Sequence, residues 1–388
     1  MNKKLNIAIF SDNFLPGVGG MENAVCHLAT TLTNLGHNVL VVVPHYNKKK
    51  ETDNYPFKVF RKTSFRVDSN NYCAYPNFSK KLKKALQEFK PDIIHCHSQA
   101  SLLTLALKAS KKFNIPCVCT IHTKYSFCYK NAVHLNCIVK PMLKAIGRKL
   151  KKVDLVTSVS YGMATEFDLY NYHGKFEVIK NGATFQKLTD PQLKTYAQSK
   201  FNLNDNENIL LFVGHISKIK NVQFIFASLD ELYKLNKEFK MVFAGSGDGD
   251  DYFKKIASSK PYKDNVLFTG KITDKKILQS VYANSKIYLF PSIFDTDGLT
   301  IVEAATYSVP SITITGTGAS ERITNDQNGF TIEDNPLKMA EKIDFLLKNP
   351  EFLSKIGKNA SQQLPKTWEQ VSNEYLNLYY KTIDTYNK

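Results

Sequence analysis

Long apolar runs are missing from this 388-residue sequence: none reaches the roughly 20 residues needed to cross a bilayer, so no membrane-spanning helix is expected. No cleavable leader is expected either, because MNKKLNIAIFSD runs straight into an acidic turn. Cysteine is absent after position 137. The seven present (Cys26, Cys73, Cys96, Cys117, Cys119, Cys128, Cys137) are odd in number and follow no repeating spacing, which excludes a disulfide scaffold. Most lie in apolar runs, so reduced, buried thiols in a cytoplasmic protein are expected. Tryptophan is reduced to Trp368, and no short repeat or low-complexity tract occurs. With 43% hydrophobic and 22% charged residues, disordered and fibrous classes are excluded.

Acidic residues are scarce in one half only. Residues 1–184 hold 27 Lys and Arg against 11 Asp and Glu, whereas 185–388 hold 25 against 24, so nearly all of the net charge of +17 belongs to the first half. Clusters stand at Lys48–Lys50, Ser79–Lys90 and Val139–Lys152. The last two read as amphipathic helices, with Leu82, Leu86 and Phe89, and Met142, Leu143, Ile146 and Leu150, on their apolar stripes. Lys80, Lys81, Lys83, Lys84, Lys144, Arg148, Lys151 and Lys152 take the other faces. Such helices serve as ordinary surface or as docks for anionic lipid, which attracts each nearby cation by about 1 kcal/mol. No helix-turn-helix, zinc-finger or RNA-binding aromatic signature accompanies the charge, so an anionic membrane surface is the expected partner and nucleic acid is not.

The chain opens strand, glycine loop, helix, strand: LNIAIF, PGVGG, MENAVCHLATTLTNLGH, NVLVVVP. Further apolar runs follow at 92–97, 116–122, 154–160 and 176–182. A polar stretch at 185–207 reads as a boundary, after which runs recur at 208–214, 240–247, 265–270, 286–292 and 311–318. This alternation predicts an α/β chain with two doubly wound parallel-sheet domains and a cleft between them. The divisions are 1–184, 185–365 and a tail helix, 366–388, carrying Trp368. Ligands of such sheets bind beyond the carboxyl ends of the strands.

Four loops there carry candidate chemistry. Gly17, Gly19 and Gly20 follow the first strand; Glu22 stands where a dinucleotide fingerprint needs its third glycine, so nicotinamide is not expected. Glycines at a strand–helix turn still admit a phosphate, or simply make a tight turn. Gly214-His215-Ile216-Ser217-Lys218-Ile219-Lys220-Asn221 leaves a strand for a helix, and its cations suit a diphosphate. In the segment from Phe290 to Ala304, Asp295 precedes a glycine turn and Glu303 lies about one turn into the next helix. Their carboxylates can grip hydroxyls while the Gly298 and Leu299 amides take phosphate oxygens. An Asp295/Asp297 metal site is thin, and Asp297 can equally be a helix cap. His95 and His97 share a strand face without a second pair at zinc spacing, which makes them structural. His122 ends a strand on the polar loop HTKYS and is a hydrogen-bond or acid/base candidate.

Taken together, the Gly-rich first loop, the strand ending at His122, VSYG after DLVTS, VIKNGATF, GHISKIKN, VFAGSGDGD and the Asp295-to-Glu303 segment resemble glycosyltransferase family 4 enzymes of the GT-B fold over nearly the whole chain. The last segment is similar to the family's E-x7-E motif. The resemblance implies two Rossmann-like domains, the first for acceptor and the second for nucleotide sugar, and a C-terminal helix returning to the first. It also implies retaining transfer of a sugar with no cofactor and no required metal. On it, Glu303 binds the ribose and Asp295 binds donor hydroxyls beside Gly298 and Leu299. Lys220, with Gly214 and His215 in its loop, serves the diphosphate; Gly19 and Gly20 lie near it; and His122 stands near the reacting sugar. The chain departs from the family at His215, where arginine is usual, and at Asp295, where the first glutamate is one methylene longer.

The basic helices and DTDGLTIVEAA look most like bacterial enzymes that glycosylate membrane lipids. The expected reaction moves a hexose, glucose by first choice, from a UDP-sugar to a lipid such as diacylglycerol, with the enzyme docked peripherally on the inner face of the membrane. Capsule, teichoic-acid or lipopolysaccharide synthesis on a polyprenyl-linked or glycan acceptor is the alternative within the family. Outside it stand a sugar-nucleotide epimerase and a non-catalytic protein that binds anionic surfaces.

Overall fold

The computed structural model describes residues 3–15, 19–46, 53–67, 72–133, 136–183 and 187–388. The chain divides into two compact units, Met1–Thr184 with Lys366–Lys388, and Phe185–Pro365.

The first unit is built on a seven-stranded parallel sheet in the order Lys58–Lys62, Asn38–Pro44, Asn6–Phe10, Ile93–Cys96, Cys117–Ile121, Leu155–Ser158, Glu177–Val178. Its central strands are short runs of Val, Ile, Ala and Cys buried on both faces, as a sheet covered by helices on two sides requires. Asn6–Phe10 pairs with Asn38–Pro44 on one side and Ile93–Cys96 on the other, so the chain direction across the sheet reverses at its end. A separate antiparallel hairpin joins Ser64–Arg66 to Tyr72–Ala74.

The tail helix, Trp368–Tyr386, starts at a capping box in which the Thr367 hydroxyl and the Gln370 side chain exchange bonds with each other's backbone amides. It adds Val371, Tyr375, Leu376 and Tyr379 to the core of the first unit, against Leu28, Leu32, Ile7 and Ile9. Trp368 stacks on His27 with ring centroids 5.4 Å apart. A side chain at Gly182 would stand 3.1 Å from that indole.

The second unit has a six-stranded parallel sheet, in the order Val266–Gly270, Lys240–Ala244, Ile209–Val213, Ile287–Phe290, Ser311–Ile314, Phe330–Ile332. Ile209–Val213 lies between Lys240–Ala244 and Ile287–Phe290, which makes the loops leaving Val213 and Phe290 neighbours at the switch point.

The cysteines depart from expectation. Cys96, Cys117 and Cys119 are buried, but Cys26 and Cys73 are half-buried and Cys128 and Cys137 exposed; all seven are free thiols. The last two lie on helices, where one face meets solvent. The polar stretch read as a boundary contains a helix, Leu193–Phe201, whose Leu193 and Ala197 are buried.

Candidate functional site

Glycines make the strand-end loops of the second unit possible. Gly214 and Gly245 both adopt positive φ, at 153° and 146°. A Cβ on Gly245 would lie 1.9 Å from the Gly214 carbonyl oxygen, and one on Gly247 would lie 2.2 Å from that of Ile216. Backbone bonds lace three strand ends together: the Gly214 N–H donates to Ala244 O (3.0 Å), that of Gly245 to Gly270 O (3.1 Å) and that of Gly249 to Ile216 O (2.9 Å).

The loop after Val213 then reaches the loop after Phe290. Asn221, itself at φ 57°, donates through Nδ2 to Pro291 O at 3.1 Å. One residue earlier, Lys220 Nζ lies 2.5 Å from Asp295 Oδ1. The other oxygen, Asp295 Oδ2, is buried and has no hydrogen-bond partner among the described residues. An acceptor of that kind is costly to leave unmade and suits an incoming hydroxyl.

Next comes the turn. Gly298 caps the helix Leu299–Thr306 at φ 66°, where a Cβ would stand 2.8 Å from Ile301 Cδ1. The turn is held by Arg322, whose Nε donates to the Asp297 carbonyl and to Asp297 Oδ1, both at 2.8 Å, while Nη2 also bonds Oδ1. Asp297 is therefore paired with Arg322, and the helix cap is Gly298, with no side-chain cap bond. Among the described residues no group of three or more His, Cys, Asp or Glu side chains could hold a metal ion.

Glu303 lies deeper. It is buried, and its Oε2 accepts the Tyr282 hydroxyl at 2.8 Å. Burial and then the adjacent Glu303 charge push the Tyr282 pKa well up, so the phenol keeps its proton and remains a donor. His215 is drawn elsewhere: its Nε2 sits 2.8 Å from Asp248 Oδ1, with both side chains largely in solvent. Lys218 lies over the Tyr252 ring, 4.9 Å from its centroid. The structure thus gathers Lys220, Asp295, Gly298 and Leu299 on two adjoining loops, places Glu303 behind them, and turns His215 and Lys218 to other partners. Tyr282 and Arg322 carry no local sequence signal, and Asp248 lies in VFAGSGDGD, which does not single it out; only the fold brings the three to these partners.

In the first unit, Gly19 precedes the helix Gly20–Asn34 in an extended conformation, and Gly20 opens the helix. Gly17 lies outside the described residues. Glu22 Oε2 folds back over Gly19, 2.4 Å from where a Cβ would be, and burial raises its pKa. His122, just after Cys117–Ile121, is half-buried, and its Nε2 lies 2.9 Å from His97 Nδ1. Burial lowers its pKa to about 4, so the ring is neutral at neutral pH. His95 is structural, as expected, with both ring nitrogens bonded, to Tyr379 Oη (2.6 Å) and Thr120 Oγ1 (2.7 Å); His97, by contrast, touches the candidate residue His122.

Both basic helices form as expected, at Lys80–Phe89 and Asn136–Leu150. Leu82 and Leu86, and Val139, Leu143, Ile146 and Leu150, are buried. Lys80, Lys81, Lys84, Lys144, Arg148, Lys151 and Lys152 are exposed and Lys83 partly so, while Met142 is only partly buried. Lys149 turns inward and donates to the carbonyls of Gln99 and Ala100 at 3.0 and 2.8 Å. The Lys48–Lys50 cluster lies outside the described residues. No helix among the described residues is long and apolar enough to cross a membrane.

Comparison with known proteins finds relatives over nearly the whole chain. Residues 18–186 match the model of Glycosyltransferase Family 4, and residues 194–363 match that of Glycosyl transferases group 1. The chain is 24% identical to an alpha-monoglucosyldiacylglycerol synthase of Acholeplasma laidlawii, across 99% of each chain. It is 27% identical to the enzyme of the same name from Streptococcus pneumoniae, across 79% of this chain and 70% of that one. Among solved structures, Anabaena HepE in complex with UDP-glucose superposes with a TM-score of 0.73 at 19% identity, across 96% and 99% of the two chains.

Proposed function

We propose a substrate pair for this chain, which belongs to the GT-B glycosyltransferases: it moves glucose from UDP-glucose to diacylglycerol, with retention at the anomeric carbon and without a metal ion. The reading is carried by the pairing of Lys220 with Asp295, whose second oxygen has no partner among the described residues, at the mouth of the Gly298 turn. The relatives' names support the lipid acceptor and the sugar, and the complex of the structural neighbour supports the donor.

Transfer breaks the bond between the anomeric carbon and a phosphate oxygen and forms one to the acceptor hydroxyl, so the charge growing on the diphosphate must be met. Lys220 and the first amides of Leu299–Thr306 supply positive potential there without a metal. A diphosphate competes with Asp295 for Lys220, which releases the carboxylate to accept hydroxyls of the sugar. Glu303, oriented by the Tyr282 phenol, accepts the ribose hydroxyls. Gly214 and His215 stand in the same loop as Lys220, where His215 adds charge only when protonated, and Gly19 and Gly20 stand at the start of the helix Gly20–Asn34 in the first unit. Residues 185–365 hold the donor and residues 1–184 the acceptor. His122, a neutral imidazole, serves the reacting hydroxyl as a hydrogen-bond partner.

The exposed cations of the two basic helices dock the first unit on anionic lipid at the cytoplasmic face of the membrane, which presents a diacylglycerol acceptor directly. The test is nucleotide release from UDP-, GDP- and ADP-sugars, with and without anionic vesicles containing diacylglycerol. Release from UDP-glucose only with lipid is expected. Equal release without lipid overturns the lipid acceptor in favour of hydrolysis or a soluble or glycan acceptor, and no release from any donor overturns the transferase reading.

A further inference from the structure

His97 follows the strand Ile93–Cys96 and His122 follows Cys117–Ile121, and the parallel register that sets Cys96 against Cys119 brings the two loops side by side. His97 Nδ1 lies 2.9 Å from His122 Nε2, and the rings stack with centroids 5.2 Å apart at 26°. On its other side His97 meets the His95 ring at 4.0 Å. His95 is pinned by Tyr379 of the tail helix and by Thr120, whose hydroxyl also reaches Thr157 (2.5 Å) and Tyr375 (3.2 Å). The three rings form a column braced at its inner end by the tail helix.

The remaining nitrogen of His97 decides what the column does. His97 is 2% exposed, and its Nε2 has no hydrogen-bond partner among the described residues. A neutral imidazole carries one N–H. Placed on Nε2, that hydrogen is a buried donor with no acceptor, the kind of orphan that folded proteins avoid most strongly. Placed on Nδ1, it points at His122 Nε2, and Nε2 of His97 becomes a bare ring nitrogen, which costs less.

We propose that His97 is a positioning residue for His122: its Nδ1–H donates to His122 Nε2, which fixes the His122 proton on Nδ1 and holds the ring in place. His122 then offers substrate a hydrogen-bond donor and is not a general base, because its accepting nitrogen is taken. Burial keeps both rings neutral, which the arrangement requires. The proposal rests on the reading of His122 as the residue that serves the reacting hydroxyl.

Two measurements test it. The first is NMR of the full chain with 15N-labelled histidine at pH 7.5, the His122 signals being identified by their loss in His122→Asn. The proton is expected on Nδ1; finding it on Nε2 overturns the proposal. The second is turnover of UDP-glucose with diacylglycerol vesicles. His97→Leu, and His97→Gln, whose amide sits at the Nε2 position, should lower kcat about 10- to 100-fold with donor KM unchanged. His97→Asn, whose amide sits at the Nδ1 position, should keep most of kcat. Unchanged kcat in His97→Leu, or equal damage in His97→Asn and His97→Leu, overturns the proposal. If His97→Leu does not fold, the Asn and Gln variants and the wild-type tautomer decide the matter. A chain that turns over no donor fails the transferase reading, and the tautomer alone then decides this one.

Discussion

The Arg322–Asp297 pair gives the sharpest test of how the Gly298 turn is held. Their side chains are only 3% and 7% exposed, and the guanidinium spans both the carboxylate and the backbone carbonyl of Asp297. Replacing Arg322 with methionine keeps most of the volume and removes every one of those donors. Asp297 is then left as a buried charge without this partner, a class of change that costs about 3–5 kcal/mol. In a unit of this size each kcal/mol moves the melting temperature by about 2–4 °C, so its transition should fall by about 10 °C. The two units need separate reporters, because a two-unit chain does not melt as one cooperative block. A tryptophan placed at Phe352, on the core of the second unit, reads that transition apart from Trp368 in the first. Arg322→Met combined with Asp297→Asn should recover part of the loss, since the amide carries no charge to strand. The turn at Gly298 should also loosen, weakening UDP binding by calorimetry in step with the stability loss. A destabilisation under about 1 kcal/mol, the range of exposed pairs, would refute the reasoning by showing that solvent reaches Asp297.

Further outcomes can be checked more briefly. Lys220→Met should lower kcat/KM for the donor about 100-fold with unchanged circular dichroism, because it removes a cation facing the leaving diphosphate; an unchanged kcat/KM would remove Lys220 from the site. Tyr282→Phe strips a hydrogen bond from buried Glu303 and should weaken UDP binding about tenfold, read by calorimetry. The buried histidines make the first unit sensitive to acid. His95 and His122 are lowered by burial to about 3 and about 4, against an unfolded value near 6.5, so the unfolded chain binds more protons between these values. Their contribution to stability is complete above about pH 6.5 and is lost as pH falls toward 4; urea midpoints read through Trp368 that stay flat from pH 7 to 4.5 would contradict this. Replacing Lys80, Lys81, Lys84, Lys144 and Arg148 together with glutamine should abolish flotation with anionic vesicles at low salt and leave that with neutral vesicles unchanged.

Much of the architecture is written locally. Strands such as Asn38–Pro44 and Ile209–Val213 are unbroken Val, Ile and Leu runs because parallel strands bury both faces, and the glycines and lysines that follow them mark the loops where ligands bind. Gly214, Lys220, Asp295, Gly298 and Glu303 could be picked out as candidates because they stand at or just after those strand ends. Edge strands were not: Lys58–Lys62 carries three cations in five residues, and Phe330–Ile332 is too short to show a period. Nor was the helix Leu193–Phe201, which forms where the Ala197 amide finds the Ser280 hydroxyl at 2.8 Å.

What only the tertiary structure decided is the company each site residue keeps. Tyr282 on Glu303, Arg322 on Asp297, Asp248 on His215 and His97 on His122 lie 21 to 33 residues apart along the chain. Strand order and register bring them within 3 Å, and no local pattern records that. A sequence therefore shows which residues are candidates for a ligand site, since residue type and strand ends are local properties. Protonation state, orientation and the partner that must be displaced depend on burial and on neighbours supplied by other elements, and these exist only once the chain has folded.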